Sequence, residues 1–293
     1  MENSTYKYNY VTQIRDLVIG IGRPKIAASI MAYDEEGFLE KARLADESNC
    51  DIIEIRADSM AMGGYREPEK IKKIVELIKT VTEKPLILTI RSMEEGGMAN
   101  IDRTSYYMLI RDIIEIFDLE KIKPEVLDIE AFDKDYGARS NMMEFMVNLA
   151  HDAGMKVIVS NHDVEKTPKI EEMVERIMIM DKFGADIPKG AYMARSEGDV
   201  NNVMEAVKVV AQKIKKPYIL ISMGEEGKKT RISFDSESGN ADGTAITFGC
   251  LGSESSAKGQ MEVNELKSRV MEKCGDYLNL TTQIGRASCR ERV

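Results

Sequence analysis

The sequence predicts a single (β/α)₈ barrel of the TIM type, and three observations point there. From Lys25 onward, eight short apolar runs alternate with amphipathic stretches. No linker rich in Pro, Gly or Ser divides them, so residues 1–283 are expected to form one domain. No G-x-G-x-x-G follows the first run, which weakens the alternative of a doubly wound open sheet.

The opening, Tyr6 to Gly20, is β-rich and has no helical partner. It is expected to cover the N-terminal mouth of the barrel as a hairpin-like segment. The strand candidates are 25–30, 51–56, 85–91, 125–130, 156–160, 185–189, 217–222 and 244–249. Between them, apolar residues recur at spacings near 3 and 4, as on a helix packed against a sheet. Examples are Phe38, Leu39, Ala42 and Ala45, then Ile71, Ile74, Val75 and Ile78, then Met108, Ile110, Ile113 and Ile114. The pattern continues with Met143, Phe145, Met146 and Leu149, with Met173, Val174, Ile177 and Met180, and with Val203, Val207 and Val210. Asp34 is a candidate cap, and Pro68 and Thr167-Pro168 mark further helix starts.

Composition narrows the function. Hydrophobic residues make up 43% of the 293, with 6% aromatics and no Trp, so the core is aliphatic and the 19 Met serve mainly as filler. A net charge of −9 repels nucleic acid and anionic membrane surfaces, yet leaves room for a small anion held by local arginines. No apolar run approaches the roughly 18 residues of a membrane span, and the first ten residues lack a signal core. A cytoplasmic protein is therefore predicted. Cys50, Cys250, Cys274 and Cys289 show neither C-x-x-C nor a His at ligand spacing, so reduced thiols and no metal are expected. Residues 284–293, I-G-R-A-S-C-R-E-R-V, resemble the translation of a sequencing-adapter read-through. They are expected to be a non-native tail and are set aside, Cys289 with them.

Two strings concentrate the chemistry: V-I-V-S-N-H-D around His162 and A-D-I-P-K-G-A-Y-M around Lys189. Each reads as a strand stopping on a versatile side chain. The two residues lie 27 positions apart, about one β-loop-α-loop unit, which places them at the same end of neighbouring parallel strands. An amine beside an imidazole is what a Schiff-base enzyme needs, one to attack a carbonyl and the other to move protons. The only other histidine, His151 in N-L-A-H-D-A-G, suits a helix C-terminus and is read as structural. In a barrel the chemistry gathers at the C-terminal strand ends. Those ends carry Glu54 and Arg56, Arg91 with Glu95 in the next loop, Asp128 and Glu130, His162, Lys189 and Ser222. Glu54 and Arg56 share a strand face, and taken alone they read as a structural ion pair. Several cations and acids converging on one mouth suggest a polar pocket for an anionic, hydroxyl-bearing ligand.

From about Val11 to Val270 the chain resembles the type I 3-dehydroquinate dehydratases. The resemblance rests on P-K-I-A-A-S-I-M, E-I-R-A-D, T-I-R-S-M-E-E-G-G, V-I-V-S-N-H-D, D-I-P-K-G-A-Y-M, S-M-G-E-E-G-K-K-T-R and S-A-K-G-Q in that order. It implies a homodimeric barrel that removes water from the small molecule 3-dehydroquinate, giving 3-dehydroshikimate, with neither metal nor added cofactor. By position, Lys189 is then the Schiff-base lysine, His162 the general acid/base and Glu95 the group orienting the imidazole. Arg231 is expected to pair with the substrate carboxylate. Ser29, Glu54, Arg56, Arg91, Ser256 and Gln260 are expected to bind hydroxyls or shape the pocket. Two departures stand out. The stretch from Arg231 to Phe248 is longer than the family's usual connection, and Lys258 stands where Pro is frequent in the S-A-P-G-Q lid. The Ser- and Gly-rich loop from Ser253 to Gln260 is expected to close over substrate.

The residues make chemical sense without the resemblance. An iminium on Lys189 is an electron sink that acidifies the neighbouring C–H; His162 can take that proton and protonate the departing hydroxyl. Burial near arginines is expected to favour the neutral amine. Asp163 adjoins His162 but points to the opposite strand face, which favours Glu95 as the orienting group. Two other readings compete. A class I aldolase acting on a sugar phosphate needs a phosphate nest, for which G-C-L-G-S near Gly249 is a faint candidate. A non-catalytic binding protein needs neither His162 nor Lys189.

Overall fold

The computed structural model describes residues 11–63, 67–118, 120–131, 140–233, 244–252 and 255–273. The expected tail at 284–293, and Ser253 and Glu254 of the expected lid, lie outside the described residues. The chain opens with an antiparallel pair, β1 (Thr12–Ile14) and β2 (Leu17–Ile19), joined by Arg15 and Asp16. Arg15 has φ of 49°, as a tight two-residue hairpin turn demands.

Eight parallel strands follow: β3 (Lys25–Ile30), β4 (Ile52–Arg56), β5 (Leu86–Thr89), β6 (Val126–Glu130), β7 (Lys156–Asp163), β8 (Ile187–Met193), β9 (Ile219–Met223) and β10 (Ile246–Gly249). They pair in chain order from β3 to β9, and β10 returns to β3. Between β9 and β10 the closure rests on an Ile219–Thr244 bridge, with Ala245 N donating to Tyr218 O at 2.8 Å. The barrel is nearly closed.

Among the described residues, seven α-helices surround it: α1 (Glu35–Glu47), α2 (Pro68–Lys79), α3 (Arg103–Asp118), α4 (Ser140–Asp152), α5 (Ile170–Lys182), α6 (Glu197–Lys213) and α7 (Val263–Lys273). Asp34 caps α1 by accepting from Gly37 N at 2.9 Å, and Pro68 opens α2. The expected start at Thr167-Pro168 is corrected. α5 begins at Ile170, and the Thr167 hydroxyl donates instead to Met193 O at 2.8 Å, tying the β7–α5 loop to the end of β8. Among the described residues between β9 and β10, the helical piece is a 3₁₀ turn, Glu226–Ile232.

Strand alternation builds two cores. One face packs on the helices, with Ile53, Ile55, Leu86, Leu88, Leu127, Val157 and Val159 against side chains such as Phe38, Ile74, Ile110 and Val207. The other fills the barrel with a floor of Ala27, Ile52, Ile87, Val126, Ile158, Ile187, Ile219 and Ile246. Ile14 and Ile19 of the hairpin join that floor, and Thr12 Oγ1 donates to Asp186 O, just before β8, at 3.1 Å. The hairpin thus covers the N-terminal mouth, as the sequence predicts. An apolar floor leaves the C-terminal half of the interior for polar groups.

Candidate active site

The same strand face that begins in the apolar floor continues upward into charge. On β4, Ile52 gives way to Glu54 and Arg56; on β6, Val126 gives way to Asp128 and Glu130; on β7, Ile158 gives way to Ser160 and His162. β7 and β8 extend further than the sequence predicts, which corrects the expectation that each strand stops on its reactive residue. Lys189 is the third residue of β8, in register with Ser160, while His162 pairs with Ala191. The lysine therefore sits one inward-facing position below the imidazole. The strands continue because Ala191 and Met193 keep an apolar wall inside the barrel, beside Ile221, Met223 and Phe248.

A cavity of about 320 Å³ opens above this layer. Its lining includes Lys189, His162 and Glu95, with Glu54, Arg56, Arg91, Arg231, Ser256 and Gln260. Nine of the ten sequence-nominated residues thus face one space. The tenth, Ser29, stands behind it, donating to Glu54 Oε2, while Thr89 Oγ1 holds the other Glu54 oxygen at 2.9 Å. His151 lies elsewhere. It contacts Asp186 Oδ2 at 2.7 Å near the start of β8, in the last turn of α4.

Lys189 Nζ contacts Asp128 Oδ2 at 2.9 Å and lies 4.2 Å from the Phe248 ring centroid. Asp128 is fully buried and also accepts from Arg91 Nη2 at 2.8 Å and Ser160 Oγ at 2.6 Å. Burial alone would raise its pKa; the Arg91 and Lys189 charges outweigh that and hold the carboxyl below its usual range. The sequence marks Asp128 as a strand-end acid but gives it no place in the site. Its pairing with Lys189 depends on three strands closing side by side.

Glu95 Oε2 accepts from His162 Nδ1 at 2.9 Å and from His162 N at 3.1 Å, while Asn161 Nδ2 donates to Oε1 at 3.3 Å. With Nδ1–H committed to a carboxylate, Nε2 is the nitrogen left for the cavity. The E-E-G-G string explains how Glu95 gets there. Ser92 caps a short 3₁₀ turn, Met93–Glu95, which Gly96 ends at φ 85°. A side chain on Gly97 would meet Arg91 O at 2.1 Å, so only Gly lets the loop fold this close to β5. Asp163 instead accepts from Glu165 N and Lys166 N, both at 3.0 Å, and shapes the following turn.

Burial, then the Arg91 and Lys189 charges, push the His162 pKa well below its usual value. Burial, then the charge of Glu130, push Glu95 well above the ordinary carboxyl range. Arg91 mediates between these acids: its Nη1 reaches Glu95 Oε2 at 3.2 Å, Glu130 Oε1 at 3.1 Å and Ser160 Oγ at 3.0 Å. Arg56 is held bidentate by Asp58, both contacts at 2.8 Å.

Arg231 differs from those two arginines. It is 1% exposed, and among the described residues it makes two long contacts to carbonyls, Phe248 O at 3.5 Å and Lys258 O at 3.3 Å. Its Nε has no partner, and burial pushes its pKa down to about 10. A buried guanidinium with no carboxylate partner among the described residues, facing a cavity, is a ready anion site. The backbone from Ser255 to Gln260 passes over the same space: Ser256 O accepts from Arg56 Nη1 at 3.2 Å, and Gln260 Oε1 accepts from Ser256 N at 2.8 Å.

The fold and the cavity together define a barrel enzyme with a buried amine and imidazole at its C-terminal mouth. Comparison with known proteins narrows this. The profile of the type I 3-dehydroquinase family matches residues 26–271. The 3-dehydroquinate dehydratase of Alkaliphilus oremlandii is 36% identical over 263 residues, spanning 89% of this chain and 96% of that protein. That of Escherichia coli O8 is 35% identical over 87% of this chain and 95% of its own length. A crystal structure of type I 3-dehydroquinate dehydratase from Clostridium difficile, carrying covalently modified comenic acid, superposes with a TM-score of 0.76. It shares 32% identity and covers 89% of this chain and 96% of its own. The Geobacillus kaustophilus 3-dehydroquinate dehydratase gives 0.78 at 25% identity, over 91% and 97% of the two chains. This chain belongs to the type I 3-dehydroquinase family.

Proposed function

We propose that this enzyme dehydrates 3-dehydroquinate through an imine on Lys189, with His162 as the proton carrier and Glu95 as its orienting partner. The observation that carries the reading is the placement of the Lys189 amine and the His162 imidazole on adjacent strands, facing one cavity. Arg231 supplies the charge that a substrate carboxylate would take.

The attacking amine is the neutral form, so the ammonium now paired with Asp128 first passes a proton to the imidazole or to water. Nζ adds to the ketone, and the resulting carbinolamine loses water to give the iminium. His162 Nε2 takes a proton from the adjacent carbon, and that C–H electron pair flows into the iminium to form an enamine. The enamine then expels the β-hydroxyl, which leaves as water with the proton that His162 returns. A water molecule adds to the new conjugated iminium, releasing the enone and regenerating the amine. Glu95 balances the imidazolium during the middle steps, while the apolar wall of Met193, Ile221 and Met223 limits water near the imine.

Retention of a matched acid, base and nucleophile weighs against a binding protein without turnover. Against the aldolase reading, Cys250 N in the candidate phosphate nest donates to Met261 O at 3.0 Å. A homodimeric, cytoplasmic enzyme remains part of the proposal. No helix among the described residues is long and apolar enough to cross a membrane. The direct test is incubation with 3-dehydroquinate, following loss of one water by mass spectrometry. Conversion by wild type and none by Lys189→Met are expected; conversion by Lys189→Met would refute the imine.

A further inference from the structure

One cation near the site belongs neither to the cavity lining nor to any catalytic step above. Arg103 is the first residue of α3, a position where the helix dipole disfavours positive charge. Its side chain is nonetheless 8% exposed, with its Nε buried and unpartnered. Such placement needs a compensating acid: Arg103 Nη1 meets the buried Glu130 Oε2 at 2.7 Å, while its Nη2 reaches the half-exposed Glu94 Oε2 at the longer 3.3 Å. The Arg103 guanidinium also lies over the Tyr106 ring at 5.5 Å, and the Tyr106 hydroxyl accepts from Glu130 N at 3.0 Å.

Glu130 is fully buried and divides its two oxygens. Oε1 accepts from Arg91 Nη1 at 3.1 Å and Ser92 N at 2.8 Å, whereas among the described residues Oε2 is engaged by Arg103. Arg91 Nη1 is the same nitrogen that reaches Glu95 Oε2. Three buried carboxylates, Glu95, Asp128 and Glu130, thus meet three cations, Arg91, Lys189 and Arg103. Without Arg103 the set holds one excess anion, and Glu130 would compete with Glu95 for Arg91.

We propose that Arg103 is a positioning residue for the dehydration: from outside the cavity it engages Glu130, leaving Arg91 shared with Glu95 and so setting the charge balance around the Glu95–His162 pair. The proposal rests on His162 as the proton carrier. The charged groups around the Glu95–His162 pair are Glu54 and Arg56 from β4, Arg91 after β5, Glu94 beside Glu95, Asp128 and Glu130 from β6, Arg103 from α3 and Lys189 from β8, with Arg231 across the cavity. Arg176 of α5 reaches the pair through Asn161, at 2.6 Å from Oδ1, and Glu172 accompanies Arg176. Arg103 touches neither the cavity nor Glu95 yet pairs with Glu130, so its removal isolates the effect of charge. Losing a nearby positive charge makes protonation of the pair easier, so the His162 midpoint moves up.

The test is a ¹⁵N NMR titration of the imidazoles in ligand-free wild type, Arg103→Met and Arg103→Lys. With two histidines in the chain, His151 serves as the internal control. The His162 midpoint is expected to rise in Arg103→Met by up to about one pH unit, the lower end of what a charge in direct contact contributes. It should stay near wild type in Arg103→Lys, while His151 does not move. The acid limb of kcat/KM should shift upward by the same amount. Arg103→Gln reads the same charge loss if the Met variant fails to fold. A His162 midpoint unchanged in both neutral variants overturns the proposal. Failure of wild type to form a reducible imine on Lys189 would instead sink the catalytic reading, so the two failures are distinguishable.

Discussion

Replacing Glu95 with Gln separates what the carboxylate does for catalysis from what it does for the fold. Glu95 Oε2 accepts from His162 Nδ1 at 2.9 Å, and the amide oxygen of Gln can accept the same bond. Ring orientation is therefore retained, while the counter-charge to the imidazolium is lost. A hydrogen bond to a charged group contributes about 1.5–3 kcal/mol and a neutral one about 0.5–1.5 kcal/mol. The difference, about 1–1.5 kcal/mol, corresponds to a fall in kcat of roughly 5- to 15-fold. Stability should move the other way or stay level. Burial and the neighbouring Glu130 raise the Glu95 pKa, so folding disfavours its ionised form at neutral pH, and a neutral amide removes that cost. Turnover is read from formation of the conjugated enone, stability from thermal unfolding. Wild-type kcat in E95Q, or a Tm several degrees lower with unchanged kcat, would refute the assignment of Glu95 as the imidazolium's partner.

Arg231→Met should raise KM by roughly 10- to 100-fold, the scale of a charge-assisted contact to a carboxylate. Tm should not fall, because burial already disfavours the Arg231 charge; an unchanged KM would hand the carboxylate to another arginine. The pH profile has a defined sign. A depressed His162 pKa keeps the imidazole neutral until the pH drops below its folded value, so the acid limb of kcat/KM should lie below the ordinary 6.5. An acid limb at or above 6.5, measured on ligand-free enzyme at sub-saturating substrate, contradicts that environment.

Much of the barrel is legible in the sequence because its inward and outward faces alternate at fixed spacing. The eight strands fall at or within a few residues of their expected places. Lys189 could not be placed in depth: I-P-K-G-A-Y-M reads as a strand ending at a polar residue, and only closure shows that Ala191 and Met193 continue an inner wall. The last helix, α7, went unassigned because Val263, Leu266 and Val270 are sparse apolar marks in a polar stretch. Nine of ten nominated residues face one cavity because barrel geometry delivers strand ends to a common mouth. Pairwise contacts are a different matter. That Asp128 meets Lys189, or that Arg103 reaches across to Glu130, depends on sheet register and on where α3 begins. Neither is encoded in local spacing.

Borohydride reduction tests the central claim most directly. Wild type and His162→Ala are each incubated with 3-dehydroquinate and borohydride, then digested and mapped by mass spectrometry. A substrate-dependent mass gain on Lys189 is expected in both proteins, because the nucleophile survives without the imidazole. Turnover in the variant should fall by at least about 10²-fold, the scale of a positioned acid/base. An adduct on another lysine, or active wild type that yields none, would contradict an imine on Lys189.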